Sequence, residues 1–308
     1  MNIVVYGAGA LGLYFAGLLS TQNNVFCISR KRIADAVKQK GVVILKNGEE
    51  KRFEIEISSN PEDVDFGVDI VILASKSYDS QKNLQDIKNR WPFCNLITLQ
   101  NGIYTEDLAR KLFKESQIFP MVSNIGSRFV SDNVIEEFLN HGIVLGSLKR
   151  GVTFNHIATM FGYVGIDVLV SDNIMRDKWK KFMFYCGGAT INALTDVLDL
   201  ENKNSLWITK RVLNEMCEVG KKLDLDFDID LLAREAFEFM MSFKPRSWKA
   251  SVGQDLRRGR KTEIDYLNGY LVKLAKDVGV DVPVNETLYR LVKTLETTGL
   301  FTKIKDNL

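Results

Sequence analysis

Six residues near the amino end narrow the possible folds more than all the rest: Gly7-Ala8-Gly9-Ala10-Leu11-Gly12, with the spacing G-x-G-x-x-G. They follow an apolar run, Asn2-Ile3-Val4-Val5-Tyr6, and open an amphipathic stretch from about Ala10 to Ser20. Strand, glycine turn and helix in that order are the setting in which the spacing carries a mechanism. Gly7 permits a tight turn, Gly9 lets the backbone approach a pyrophosphate, and Gly12 lets the helix pack closely on a sheet. The helix start offers unpaired N–H groups and a partial positive charge to phosphates. A cofactor site is therefore expected at Gly7, Ala8, Gly9, Ala10, Leu11 and Gly12, on the first strand and helix of a Rossmann-type doubly wound sheet.

The residues that follow keep that pattern. Val25 to Ser29 reads as a second strand, and residues 31–40 as a helix that stops at Gly41. Val42 to Leu45 and Phe53 to Ile57 alternate around Asn47-Gly48, the signature of a hairpin. Asp69 to Ala74 and Leu96 to Leu99 are buried strands, the second running into Gln100-Asn101-Gly102. Residues 117–147 read as further strands, expected as antiparallel additions. From Asp172 onward the strand signal almost vanishes. Helical stretches cover about 173–198, 204–224, 228–242, 250–278 and 285–298, with Pro283 placed to precede the last. The prediction is an α/β chain: a Rossmann domain over 1–168 and an all-helical domain over 169–308. A length of 308 residues suits two domains.

NAD sites usually carry Asp or Glu about 20 residues past the glycines, to hold the ribose 2′-hydroxyl. Here the second strand ends in Ser29-Arg30-Lys31-Arg32, with no carboxylate before Asp35. A cation there suits a 2′-phosphate, so NADP (NADPH) is the expected cofactor. Arg30 is the candidate contact, because a guanidinium can grip phosphate with two bonds and stack on adenine.

Composition excludes other classes. A formal net charge of +2, without a dense basic block, argues against a nucleic-acid or membrane-surface partner. No apolar run approaches the length of a membrane span, and the start lacks the charged and apolar regions of a signal peptide. The four cysteines form no C-x-x-C and read as reduced thiols, consistent with a cytoplasmic protein. Two histidines, His141 and His156, have no metal-like spacing, which disfavours zinc and a histidine triad. The helical half is apolar enough to bury its surface internally or in a homodimer.

Two stretches of that half are distinctive. One is Asp177-Lys178-Trp179-Lys180-Lys181-Phe182-Met183-Phe184. The other is Ser251-Val252-Gly253-Gln254-Asp255, continued by Arg258-Gly259-Arg260-Lys261-Thr262-Glu263-Ile264-Asp265-Tyr266-Leu267-Asn268-Gly269. With the glycine motif and Gln100-Asn101-Gly102, in this order along nearly the whole chain, they resemble the ketopantoate reductase (2-dehydropantoate 2-reductase) family.

That resemblance implies reduction of the ketone of a small 2-oxo acid by NADPH. Hydride addition leaves charge on oxygen, so a general acid must stand within hydrogen-bond reach. In the Trp-x-Lys-hydrophobic pattern, Lys181 occupies the family's catalytic position. It lies on the opposite side of its helix from the stripe Trp179, Phe182, Met183 and Cys186, alongside Tyr185, Gly188 and Asn192. Lys178 and Lys180 are expected to be solvated. By resemblance Glu263 binds the substrate near the lysine, Ser251 holds its carboxylate, and Asn101 touches both nicotinamide ribose and substrate. Lys76 matches a lysine near cofactor and substrate, and Asp265 is expected to be structural. One departure stands out. The family commonly has asparagines one and two turns after the lysine; here those positions are Tyr185 and Ala189. Asn192 lies a further turn on, roughly 16 Å along the axis, and could substitute only if Gly187-Gly188 bends the helix. The expected substrate is ketopantoate or another branched 2-oxo acid. A non-catalytic NADP-binding sensor is a third reading.

Overall fold

The computed structural model describes residues 1–242 and 248–299. Elements run in the order β1 (Asn2–Tyr6), α1 (Ala10–Leu19), β2 (Asn24–Ile28), α2 (Lys31–Lys40), β3 (Val42–Lys46), β4 (Glu49–Phe53), β5 (Glu56–Ser58), β6 (Ile70–Leu73), α3 (Ser80–Arg90), β7 (Asn95–Thr98), α4 (Tyr104–Ala109), β8 (Ile118–Ser131), β9 (Val134–Leu145), α5 (Asn155–Gly162) and β10 (Val168–Val170). Helices alone follow: α6 (Ile174–Phe184), α7 (Thr190–Thr195), α8 (Lys203–Lys222), α9 (Ile229–Ser242), α10 (Ser251–Arg257), α11 (Asn268–Val278) and α12 (Pro283–Thr298). The chain divides into two compact units, Met1–Gln100 with Thr105–Asp177, and Asn101–Tyr104 with Lys178–Leu308.

The first unit is the expected doubly wound sheet. Six strands run parallel in the spatial order β5-β2-β1-β6-β7-β8. Numbered along the chain that is 3-2-1-4-5-6, with the order reversing between β1 and β6. Side chains alternate between two cores. Ile3, Val5, Ile70 and Ile72 face one, with Leu13 and Phe15 of α1. Val4, Tyr6, Val71 and Leu73 face the other, with Leu84 and Ile87 of α3. Strands covered on both faces must be apolar at every position, which is why β1 and β6 read as unbroken hydrophobic runs. Each fully buried Val, Leu or Ile contributes about 1.5–3 kcal/mol.

The sheet departs from expectation at two places. Phe53 to Ile57 is not one hairpin strand. The hairpin mate of β3 is Glu49–Phe53, turned by Asn47 and Gly48 at φ 52° and 84°, while Glu56–Ser58 leaves it to become the third parallel strand, on β2. Nor are residues 117–147 purely antiparallel. β8 pairs parallel with β7 through Ile118–Pro120, then runs on as the antiparallel partner of β9, and β9 pairs parallel with β3 and β10. Periodicity within a strand reports burial of its faces and is silent about which neighbour it meets.

In the second unit Pro283 occupies the first turn of α12, where its missing N–H costs nothing. The expected helix over 250–278 is instead α10, a loop, a 3₁₀ turn over Ile264–Tyr266, and α11. Among the described residues, no helix is long and apolar enough to cross a membrane.

Candidate active site

The glycine turn lies where the parallel order reverses. Gly7 N and Ala8 N donate to Ile28 O at the end of β2 (3.0 and 3.1 Å), and Gly9 N donates to Gly7 O (2.9 Å). Gly7 has φ +99°, and a Cβ there would stand 2.5 Å from Ser75 N. At Gly12 a Cβ would meet Gly7 O at 2.7 Å and Ala74 Cβ at 3.1 Å. Both positions exclude any larger residue, the one through conformation and contact, the other through contact with its own turn. Gly9 differs: a Cβ would find nothing nearer than Ala74 O, at 3.9 Å. The protein itself does not require a glycine at position 9. Helix α1 starts at Ala10 with no side-chain cap and no acidic residue in its first turn, which leaves the N–H groups of Ala10, Leu11 and Gly12 able to meet an anion.

Around that turn the sheet's carboxyl edge is interlocked. Gln100 Nε2 donates to Ser75 O (3.0 Å), and Asn83 Nδ2 to Ser75 Oγ (2.9 Å). Lys76 follows Ser75, half-buried, ahead of a 3₁₀ turn over Ser77–Asp79. Arg30 is exposed at the start of α2, two residues past the Ile28 carbonyl that holds the glycine turn. Its neighbours are engaged elsewhere: Lys31 pairs with Asp35 (3.4 Å) and Arg32 with Asp132 (3.1 Å).

Asn101 belongs by its contacts to the helical unit. The next residue, Gly102, explains why. It has φ +81°, and a Cβ there would lie 2.9 Å from Tyr266 O, 3.4 Å from Leu267 Cδ2 and 3.8 Å from Phe182 Cδ2. Tyr104 continues the contact, its ring 4.7 Å from Tyr266 and 5.2 Å from Tyr270. The loop carrying Asn101 is thus seated against the neighbour of Lys181 and against the turn that Glu263 begins.

Lys181 is partly exposed as a residue, yet its ammonium sits deep among protein atoms. Burial, reinforced by the charge of Lys178, lowers its pKa from 10.5 to about 7. Its Nζ lies 5.9 Å from the centre of the Tyr185 ring, a cation–π contact between residues one turn apart. The expected apolar stripe is buried: Trp179, Phe182, Met183 and Cys186 are all 2% exposed or less. Lys180 pairs with Glu235 (3.3 Å). Lys178 corrects the expectation that it is solvated, being only 2% exposed. The signal was present: at about 100° per residue, position 178 stands roughly 40° from Phe182 on the apolar stripe.

Past Phe184 the helical wheel fails, because residues Tyr185–Ala189 form a π-turn. Side chains donate to three of its carbonyls. Thr190 Oγ1 donates to Tyr185 O (3.1 Å), Asn268 Nδ2 to Cys186 O (3.4 Å), and Thr209 Oγ1 to Gly187 O (2.9 Å). Such turns inside α-helices recur at functional sites. Asn192 does not replace the family's asparagines. Its amide is 1% exposed and committed to backbone, donating to Trp248 O (3.1 Å) and accepting from Ala250 N (2.8 Å). Ala189 is fully buried.

Glu263 is buried and precedes the 3₁₀ turn, so it is not a mid-helix residue as expected. Asp265 bonds Tyr289 Oη (2.9 Å) and Lys293 Nζ (3.1 Å), a structural role. Ser251 is the first residue of α10, half-buried. Periodicity could not have found the burial of Gly102 under Tyr266 or the π-turn. The Gly187-Gly188 pair was the hint of an irregularity there.

Comparison with known proteins agrees with this architecture. Residues 3–150 match the model of the ketopantoate reductase PanE/ApbA family, and residues 173–296 match the model of its C-terminal part. A 2-dehydropantoate 2-reductase of Pyrococcus abyssi is 29% identical over 309 residues, spanning 96% of this chain and 98% of its own. A crystal structure of a PanE/ApbA family ketopantoate reductase from Ralstonia eutropha JMP134 is similar with TM-score 0.84 at 26% identity, covering 97% of this chain and all of that one (100%). A D-mandelate dehydrogenase solved with NADH and anilino(oxo)acetate shares the fold, with TM-score 0.87 at 23% identity over 97% of this chain and 99% of that one.

Proposed function

This chain belongs to the ketopantoate reductase family of oxidoreductases, and from that premise we propose that it reduces ketopantoate to pantoate with NADPH. The observation that carries the proposal is Lys181: a lysine whose proton affinity is brought down to about 7, at the family's catalytic position. An ammonium that releases its proton near neutral pH is suited to general-acid work.

The cofactor site falls in 1–168 and the substrate machinery in 169–308, with Asn101 contributed by the loop after β7. The fit of a dinucleotide rests on the glycines. Gly7 and Gly12 are demanded by the protein, whereas the open space at Gly9 is the room a pyrophosphate needs. The uncapped start of α1 receives the phosphates, and Arg30 takes the 2′-phosphate, which supports NADPH over NADH. Lys76 and Asn101 approach the nicotinamide end. When bound, the reduced nicotinamide supplies the hydride that goes to the C2 carbonyl. Lys181 Nζ gives the developing alkoxide its proton. Glu263 orients the substrate beside it, Ser251 holds the substrate carboxylate, and Tyr185 shapes the pocket where the family usually has asparagine. The buried thiols suit a reducing, cytoplasmic setting.

A second reading keeps the chemistry and changes the acid. Tyr185 in place of asparagine favours a less polar side chain on the acid, and a D-mandelate dehydrogenase of the same fold was solved with anilino(oxo)acetate. The test is NADPH consumption by the purified protein offered ketopantoate and a panel of branched and aromatic 2-oxo acids. Preference for ketopantoate by orders of magnitude in kcat/KM supports the first reading, and a preference for another acid supports the second. No turnover of any of them, with NADPH bound, overturns both.

A further inference from the structure

We propose that Asn192 is a positioning residue that sets Ser251 against the substrate carboxylate; the inference rests on the reading of Ser251 given above. Its amide is buried to 1% exposure and makes two backbone bonds, Nδ2 to Trp248 O (3.1 Å) and Oδ1 from Ala250 N (2.8 Å). Those two groups flank Lys249 and end immediately before Ser251. Ala250 is the extended residue that starts α10, at φ −59° and ψ 145°, and no side chain caps the helix. The direction in which Ser251 leaves the backbone is therefore fixed from behind, by an amide belonging to α7.

The rest of α7 completes the fixture. A Cβ at Gly253 would stand 3.0 Å from Ala193 Cα, so α10 rests on α7 with almost no side chain between them. Asp196, left-handed at φ 66° at the end of α7, accepts from Lys249 Nζ (2.9 Å) and from Arg257 Nη2, one before α10 and one at its last residue. Those two bonds hold the Asp196 carboxyl below its usual range. α7 in turn continues α6 through the π-turn, so Lys181 and Ser251 are joined by one short, packed route. Only an amide serves at position 192. It donates to a carbonyl and accepts from an N–H at once, whereas a carboxylate would turn negative charge on the Trp248 carbonyl and an apolar side chain would leave both groups unpaired.

The experiment compares Asn192→Ala, Ser251→Ala and the double variant of the full-length protein, on the 2-oxo acid it prefers. KM, kcat and NADPH dissociation constant are measured for each. Both single variants should raise KM about 10- to 100-fold, as loss of a charge-assisted hydrogen bond does, with kcat and NADPH affinity within about threefold. The double variant should be no worse than Ser251→Ala alone, because Asn192 acts through that serine. The methyl ester of the substrate, lacking the carboxylate, should have a KM that Asn192→Ala does not change. Asn192→Ser keeps an uncharged hydroxyl that can meet one of the two backbone groups and supplies an intermediate rise in KM should the alanine variant fold poorly. Multiplying effects in the double variant, an unchanged KM in Asn192→Ala and Asn192→Ser, or equal losses on acid and ester overturn the inference. An unchanged KM in Ser251→Ala overturns the reading of Ser251 itself, and the inference with it.

Discussion

A lysine that is deprived of water and set one turn from a second buried lysine holds its proton weakly, and at position 181 both conditions are met. Because reduction needs the protonated form, kcat/KM for reduction should fall about tenfold per pH unit above a break near 7, and the reverse oxidation should rise through the same break. Lys178→Met removes the neighbouring charge, so the break should move to higher pH; a pH–rate profile of the variant checks it. Stability carries the opposite mark. Between about 7 and 10.5 the unfolded chain binds more protons at this site than the folded one, so folding gains stability as pH rises through that window. Lys181→Met should accordingly raise Tm near pH 7 by more than it does near pH 10. On the cofactor side, Arg30→Ala should weaken NADPH binding about 10- to 100-fold, the size of a charge-assisted contact, and leave NADH binding nearly alone. Equal losses for both would show that Arg30 does not read the 2′-phosphate.

At the scale of elements, two short segments decide how the helical unit presents its side chains. The first is the π-turn after Phe184, stabilised by hydroxyls and an amide that reach its carbonyls from α7, α8 and α11. Thr209→Val keeps the shape, removes the donor to Gly187 O and should cost about 1–3 kcal/mol in denaturant unfolding. The second is the loop at Gly102. Gly102→Ala forces a side chain into a left-handed backbone and against Tyr266 O, 2.9 Å from where its Cβ would stand. It should lose at least about 1 kcal/mol of stability and, by displacing Asn101, lower kcat/KM. Neither segment could be read from periodicity. A wheel of constant pitch assumes there is no π-turn, and Gly102 meets Tyr266 across a sequence distance that no local pattern spans. Where local pattern does govern, in β1, α1, the β3–β4 turn and Pro283 of α12, the elements stand where the residues put them.

For the whole molecule, the alternation of apolar runs and helices was enough to give a doubly wound sheet followed by helices, because a strand covered on both faces leaves a signature in every residue. The strand order could be anticipated only in outline. β5 is three residues long, and β8 changes partners along its length, so pairing depends on neighbours that composition does not reveal. Candidate site residues divided in the same way. The glycines declare themselves by spacing, and Lys181 and Glu263 by a motif with few alternatives. The buried Lys178, the spent amide of Asn192 and the seat beneath Gly102 belong to packing. The central proposal is a proton donor of lowered affinity serving a ketone reduced by hydride. Its most direct test is the rate at which Lys181→Ala consumes NADPH with ketopantoate, relative to wild type, with cofactor bound to saturation in both. A fall of about 10²- to 10⁴-fold with NADPH affinity kept is the predicted result; a rate within about threefold of wild type would contradict it.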